Sequence, residues 1–148
     1  LEFRRVLFRS GQDTDGTQTP FDLNMSWIVS KKKEFIGKRS FQLSYLKSEG
    51  RLQLVGLLPE EKEEVLPEGA YLAGINEQPD AMGMLRHTGF VTSSYYSPEL
   101  GRSFALALVA NGLSRMGETL SVPLGNRRLT ATVCDAVFID KENNRRDS

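Results

Sequence analysis

Few residues in this chain have types and spacing suited to chemistry. His87 is the sole histidine and Cys134 the sole cysteine among 148 residues. A histidine serves as general base or metal ligand only with a carboxylate, thiolate or second imidazole at a suitable spacing. "MLRHTGF" offers none, so His87 is expected on a loop or rim. Cys134 falls in an alternating apolar stretch, where a small packed hydrophobe is expected rather than a nucleophile. "DTDG", from Asp13 to Gly16, begins like a calcium loop, but the third oxygen ligand and the closing glutamate are missing. "GKRS", from Gly37, fails as a phosphate loop because position 32 is Lys where Gly is needed and Arg39 separates Lys38 from Ser40. Thr92, Ser93 and Ser94 line up three hydroxyls with no base within motif distance. Lys31, Lys32 and Lys33, with Lys38 and Arg39, can meet phosphate or a polyglutamate tail, although a solvated helix entrance is expected. Trp27, the only tryptophan, is expected to pack in a core, with a flat surface for a planar ligand as the sharper alternative. No catalytic constellation assembles.

The elements that must carry these residues divide the chain in two. "GQDTDGTQTP", from Gly11 to Pro20, is turn chemistry. "FDLNMSWIV" alternates Phe21, Leu23 and Met25 against Asp22, Asn24 and Ser26, as a half-buried extended segment or a first helical turn does. "EFIGKRSFQLSYLKSEG" predicts a helix with Phe41, Leu43, Tyr45 and Leu46 inward and Gly50 as its stop. From Arg51 the texture turns to β. "RLQLVGLL" is a strand with a bulge or a close backbone approach at Gly56, and "AYLAGIN" is a short strand after a charged loop from Leu58 to Gly69. "GFVTSSYYSPELGRS" begins as a strand, and Ser97 then caps one helical turn that Gly101 ends. "FALALVA" is apolar on both faces, as a doubly buried strand or short core helix would be. Leu120, Val122 and Leu124, then Leu129, Ala131 and Val133, alternate on either side of Gly125-Asn126 as a β-hairpin. About six short strands predict a mainly β fold, a small antiparallel barrel or sandwich behind a helical lead-in.

Composition narrows the partners. With 39% hydrophobic and 26% charged residues, the chain can bury a core. Nineteen basic residues balance nineteen acidic ones, so neither a nucleic-acid nor a membrane partner is expected. One cysteine permits no internal disulfide and fits a cytoplasmic setting, and no stretch approaches the ~20 apolar residues of a span. The opening ten residues, "LEFRRVLFRS", satisfy neither helical nor strand periodicity. Their reverse translation matches a sequencing-adaptor string whose preceding in-frame codon is a stop. Residues 1–10 are therefore expected to be a non-native scar and the remainder a fragment. Without them the chain loses three arginines and one glutamate, leaving 16 basic against 18 acidic residues.

Nearly all of residues 11–140 resembles one family. "GQDTDGTQTPFDLNMSW" and "EFIGKRS" look like the segment where the folate-binding core of the aminomethyltransferase (T-protein) family passes into its C-terminal barrel. "LQLVGLL", "GFVTSSYYSPELGRSFALALV", "GETLSV" and "RLTATVCDAVF" look like that barrel in order. The ungapped run from Gly89 to Gly101 is the most specific part. Within the family the likeness is strongest to sarcosine oxidase α subunits, and weaker to glycine-cleavage enzymes and to dimethylglycine and sarcosine dehydrogenases. The resemblance implies residues 11–50 as the end of the folate-binding core, 51–140 as the barrel and 141–148 as a polar tail. It implies a parent enzyme that oxidises sarcosine and passes the one-carbon unit to tetrahydrofolate. FAD, FMN and NAD would sit in the parent assembly outside this chain, and the partners would be the rest of the parent chain and other subunits. Trp27 matches a family tryptophan that lines the folate pocket; no catalytic and no metal-binding residue carries over. Thr92 and Ser93 are read as architecture, bonding neighbouring backbone. Phe21, Met25, Trp27 and Phe35 are expected to be exposed in the fragment. "LRHTGFV" departs from the family pattern, so no role carries over to Arg86 or His87. The competing readings are a non-enzymatic folate-binding scaffold and, less favoured, a nucleic-acid-binding barrel.

Overall fold

The computed structural model describes residues 9–139. The expected polar tail from 141 and all but the last two residues of the opening decapeptide lie outside them. Six strands form a closed antiparallel barrel: β1 (Leu52–Pro59), β2 (Tyr71–Gly74), β3 (His87–Ser97), β4 (Arg102–Ala110), β5 (Thr119–Leu124) and β6 (Arg127–Cys134), in the order β1-β4-β3-β2-β5-β6. Closure runs through β1 and β6, with Gly56 opposite Cys134, so each strand has a neighbour on both sides along part of its length.

The period-2 pattern of each strand sorts its residues between two cores. Val55, Leu57, Ala105, Ala107 and Val109 belong to an inner cluster with Leu120, Val122 and Val133. Their sequence neighbours Leu54, Leu106 and Leu108 form an outer cluster, covered by Leu23, Ala136 and Phe138. This explains why "FALALVA" is apolar on both faces: β4 is a strand buried on both sides. Each outer leucine so covered is worth ~1.5–3 kcal/mol. The lead-in and the segment after β6 are therefore part of the barrel's stability.

Gly56 is a close approach rather than a bulge. A Cβ there would lie 2.9 Å from Cys134 Sγ and 2.7 Å from the Phe138 ring. The connection from Ser97 to Arg102 is a hairpin turn, not a helix. Ser97 Oγ accepts from Leu100 N at 3.2 Å, as expected of a cap, and Gly101 takes φ +60°. The hairpin at Gly125-Asn126 forms as expected, pairing Leu124 with Arg127.

The helical lead-in is corrected. Among the described residues it contains only 3-10 turns, at Ser26–Ile28, Lys38–Gln42 and Ser44–Leu46. Leu43 and Tyr45 face solvent, at 47% and 62% exposure. The alternation in "FDLNMS" is inverted at its first pair, with Asp22 buried and Phe21 exposed, while Leu23 and Met25 stay half-buried against exposed Asn24 and Ser26 as expected. A buried ion pair accounts for the inversion. Arg51 Nε and Nη2 donate to Asp22 at 3.0 and 2.6 Å, and Thr19 N and Oγ1 donate to the same carboxylate at 2.8 Å each. Holding Asp22 inward turns its neighbour Phe21 outward.

Candidate functional site

Trp27 sits in the turn Ser26–Ile28, held by a run of backbone bonds. Met25 N donates to Pro20 O at 2.7 Å and Ile28 N to Met25 O at 3.1 Å. Asn24 turns the chain at φ +56°, a region that asparagine tolerates. Nearly half of the Trp27 surface, 48%, is exposed, so the core expectation fails. Beside it a recess of about 30 Å³ is lined by Leu23, Asn24, Met25, Asp135, Ala136 and Val137. That volume admits a water or a methyl group but not a bicyclic ring.

The lead-in exposes further apolar side chains. Phe21 and Phe35 pack edge-on against Phe41, with centroids at 5.2 and 6.3 Å, yet both remain exposed, as do Ile28 and Ile36. The expected exposure of Phe21, Trp27 and Phe35 is observed; Met25 is half-buried.

The other candidates resolve as structure. His87 lies at the start of β3, exposed and stacked on Tyr71 with centroids 4.2 Å apart. Among the described residues no three His, Cys, Asp or Glu side chains group to hold a metal. The Cys134 thiol is half-buried, its Sγ 3.5 Å from Asp135 O.

Thr92 and Ser93 do not bond neighbouring backbone; their hydroxyls donate to the carboxylate of Asp13, which is fully buried. The register of β3 against β4 shifts between Val91 and Ser93, leaving Thr92 as the extra residue of a bulge. That shift sets both hydroxyls toward one carboxylate. Arg9 N donates to the other Asp13 oxygen at 2.6 Å, and Gln12 Nε2 reaches Thr92 O at 2.8 Å. A carboxylate and hydroxyls without a histidine or solvent access make a clamp, not a nucleophile. Sequence reasoning missed both buried aspartates. The available signal was an Asp-Thr pair at Asp13 and a Thr-x-x-Asp spacing at Thr19 to Asp22.

Comparison with known proteins bears on this arrangement. Residues 53–140 match the glycine cleavage T-protein C-terminal barrel domain, which covers all but the first residue of the closed barrel. This chain belongs to that family. As a T-protein-type barrel it is similar to the sarcosine oxidase subunit alpha of Corynebacterium sp. (strain P-1), 47% identical over 137 residues, and to that of strain U-96, 45% identical over 137 residues. The same subunit of Rhizobium meliloti (strain 1021) is 36% identical over 136 residues. These alignments cover at least 90% of the chain but only 14% of each relative. The crystal structure of the glycine cleavage system aminomethyltransferase T from Bartonella henselae superposes with a TM-score of 0.71 at 25% identity, over 90% of this chain and 36% of that one. The alignments with the curated relatives are long enough to take in the lead-in as well as the barrel. Among the described residues no helix is long and apolar enough to cross a membrane.

Proposed function

We propose that this chain is the C-terminal barrel of a sarcosine oxidase α-subunit-like protein. Its complete form oxidatively demethylates sarcosine and passes the one-carbon unit to tetrahydrofolate, giving glycine and 5,10-methylenetetrahydrofolate. The observation that carries the reading is 47% identity sustained over 137 residues, through lead-in and barrel alike. On this reading residues 11–50 are the end of the folate-binding core and residues 51–140 the barrel domain. FAD, FMN and NAD belong to the parent assembly; this chain has no GxGxxG run that would cradle a dinucleotide. Its partners are the rest of the parent chain and the other oxidase subunits, and its compartment is the cytoplasm.

Tetrahydrofolate, when bound, supplies the amine that captures the one-carbon unit. The chain's own contribution is shape. Trp27 offers an exposed aromatic face against which a pteridine can stack, and a rigid closed barrel behind it fixes that face. Positioning an acceptor and excluding water raise the yield of a reactive one-carbon unit without any acid or base from this domain. A second reading, the barrel of a glycine-cleavage aminomethyltransferase, is favoured by the 0.71 TM-score to such an enzyme.

The test uses the complete parent protein, fed sarcosine with and without tetrahydrofolate, with glycine and methylenetetrahydrofolate quantified. Folate-dependent capture with sarcosine as the oxidised amine is expected; no sarcosine turnover overturns the assignment. In the same protein Trp27→Ala is expected to weaken folate binding at least tenfold and leave amine oxidation unchanged. Equal folate affinity in variant and wild type removes Trp27 from the site.

A further inference from the structure

Arg51 immediately precedes β1, and its carbonyl accepts from Asn111 N at 2.9 Å, which ties its backbone to the barrel. From there its guanidinium gathers the lead-in at three points. Nε and Nη2 donate to the Asp22 carboxylate, Nη2 also donates to Thr17 O at 2.8 Å, and Nη1 reaches Tyr45 O at 3.5 Å. Thr17 and Asp22 precede the excursion of residues 24–44 that carries Trp27, and Tyr45 follows it. One planar fork therefore closes the neck of that excursion. A lysine presents one nitrogen in place of three and cannot span acceptors set this way.

The turn that holds Trp27 depends on this neck. None of Ser26, Trp27 and Ile28 is buried, so packing beneath the turn does not orient it. Its orientation comes from overlapping backbone bonds that run back to Asp22. Leu23 N donates to Thr19 O at 3.2 Å, Asn24 N to Phe21 O at 3.3 Å, and Met25 N and Ile28 N extend the series to the tryptophan. Asp22 is the buried end of the series, and its own carbonyl accepts from Leu54 N of β1 at 2.8 Å. We propose that Arg51 is a positioning residue for the tetrahydrofolate step. It acts through Asp22 to hold the Trp27 face at a fixed angle to the barrel, an inference that rests on the folate reading above. A stacking ring that is preset binds more tightly, because a ring ordered only on binding gives up affinity.

The experiment measures methylenetetrahydrofolate formation by the complete parent protein, fed sarcosine, against tetrahydrofolate concentration. Wild type is compared with Arg51→Lys, Asp22→Asn, Trp27→Ala and the Arg51→Lys/Trp27→Ala double variant. Arg51→Lys and Asp22→Asn should each raise KM for tetrahydrofolate about fivefold, the scale of one net hydrogen bond, and keep the wild-type kcat. The double variant should match Trp27→Ala within about twofold, since residues that act on one contact are not additive. A kcat that falls alongside the rise in KM assigns Arg51 to general structure and overturns the inference. An unchanged KM in Arg51→Lys overturns it too, as do losses that multiply in the double variant. In each of those cases a KM raised by Trp27→Ala leaves the folate reading standing. If Trp27→Ala leaves KM unchanged, the folate reading of Trp27 fails and this inference fails with it.

Discussion

Ser93 donates its hydroxyl at 2.8 Å to the carboxylate of Asp13, a residue 80 positions earlier, and neither side chain reaches solvent. Thr92 donates to the same oxygen, so one buried carboxylate joins the lead-in to the bulge of β3. Asp13→Ala removes the acceptor and orphans two buried hydroxyls, each at about 1–3 kcal/mol. Urea unfolding of the chain should show a loss in that range or somewhat above it. Asp13→Asn, which keeps an acceptor oxygen, should recover part of the loss. A midpoint unchanged in Asp13→Ala would show that the lead-in is not held there.

The second clamp makes a pH-dependent prediction. Burial opposes ionisation of Asp22, but hydrogen bonds from Arg51 and Thr19, with the Arg51 charge, outweigh it and hold its pKa below the ordinary 3.8. A carboxyl depressed in the folded state contributes stability above its unfolded pKa and loses it as pH falls through the folded value. Stability should therefore include a constant Asp22 contribution at neutral pH that declines below about pH 4. Arg51→Ala leaves a buried carboxylate without its cation, at about 3 kcal/mol at pH 7, and flattens this acid limb. Denaturant midpoints of both proteins between pH 3 and 7 check the sign.

Two glycines should respond very differently to alanine. At Gly89 a Cβ would clash with the Leu108 carbonyl and lie 2.8 Å from Val109 Cα, in the wall between β3 and β4. Gly89→Ala should cost ~3 kcal/mol or more, because neither contact atom is a flexible side chain. Gly101, at φ +60° with nothing within 4 Å, faces only backbone strain, and Gly101→Ala should cost about 1 kcal/mol. Thermal midpoints of the two variants, read side by side, separate packing from conformation.

Amide exchange should divide the chain near Arg51. Strand amides of β1, β4 and β6 are paired on both sides of buried residues, whereas residues 24–50 have only short 3-10 turns and mostly exposed side chains. The barrel should exchange with the global unfolding free energy and residues 24–50 much faster. Asp13, Asp22 and Leu23, tied to the barrel, should fall between the two. Uniform protection from 24 to 134 would contradict this division.

Local alternation was enough to read β1 and the β5–β6 hairpin from sequence, because a strand's two faces repeat every second residue and turn residues mark its ends; β4, apolar on both faces, stayed open between strand and core helix until the fold showed a doubly buried strand. The motif run from Gly89 to Gly101 likewise pointed to the family that the barrel match then established. Contacts between distant residues were not legible. The helix expected around Phe41 failed because an apolar period counts hydrophobic residues without showing whether a surface exists to bury them. Asp22 broke the expected alternation at Phe21-Asp22 in a way the local pattern could not show, because its partner, Arg51, is 29 residues away. Asp13 looked like a failed calcium ligand because the hydroxyls that satisfy it come from a bulge 79 and 80 residues later in the chain. Sequence alone therefore determined the alternating strands, the β5–β6 hairpin and the family resemblance, all properties of neighbouring residues. Only the tertiary structure decided barrel closure, the two carboxylate clamps and the exposure of Trp27, since each depends on which surfaces meet once the chain has folded.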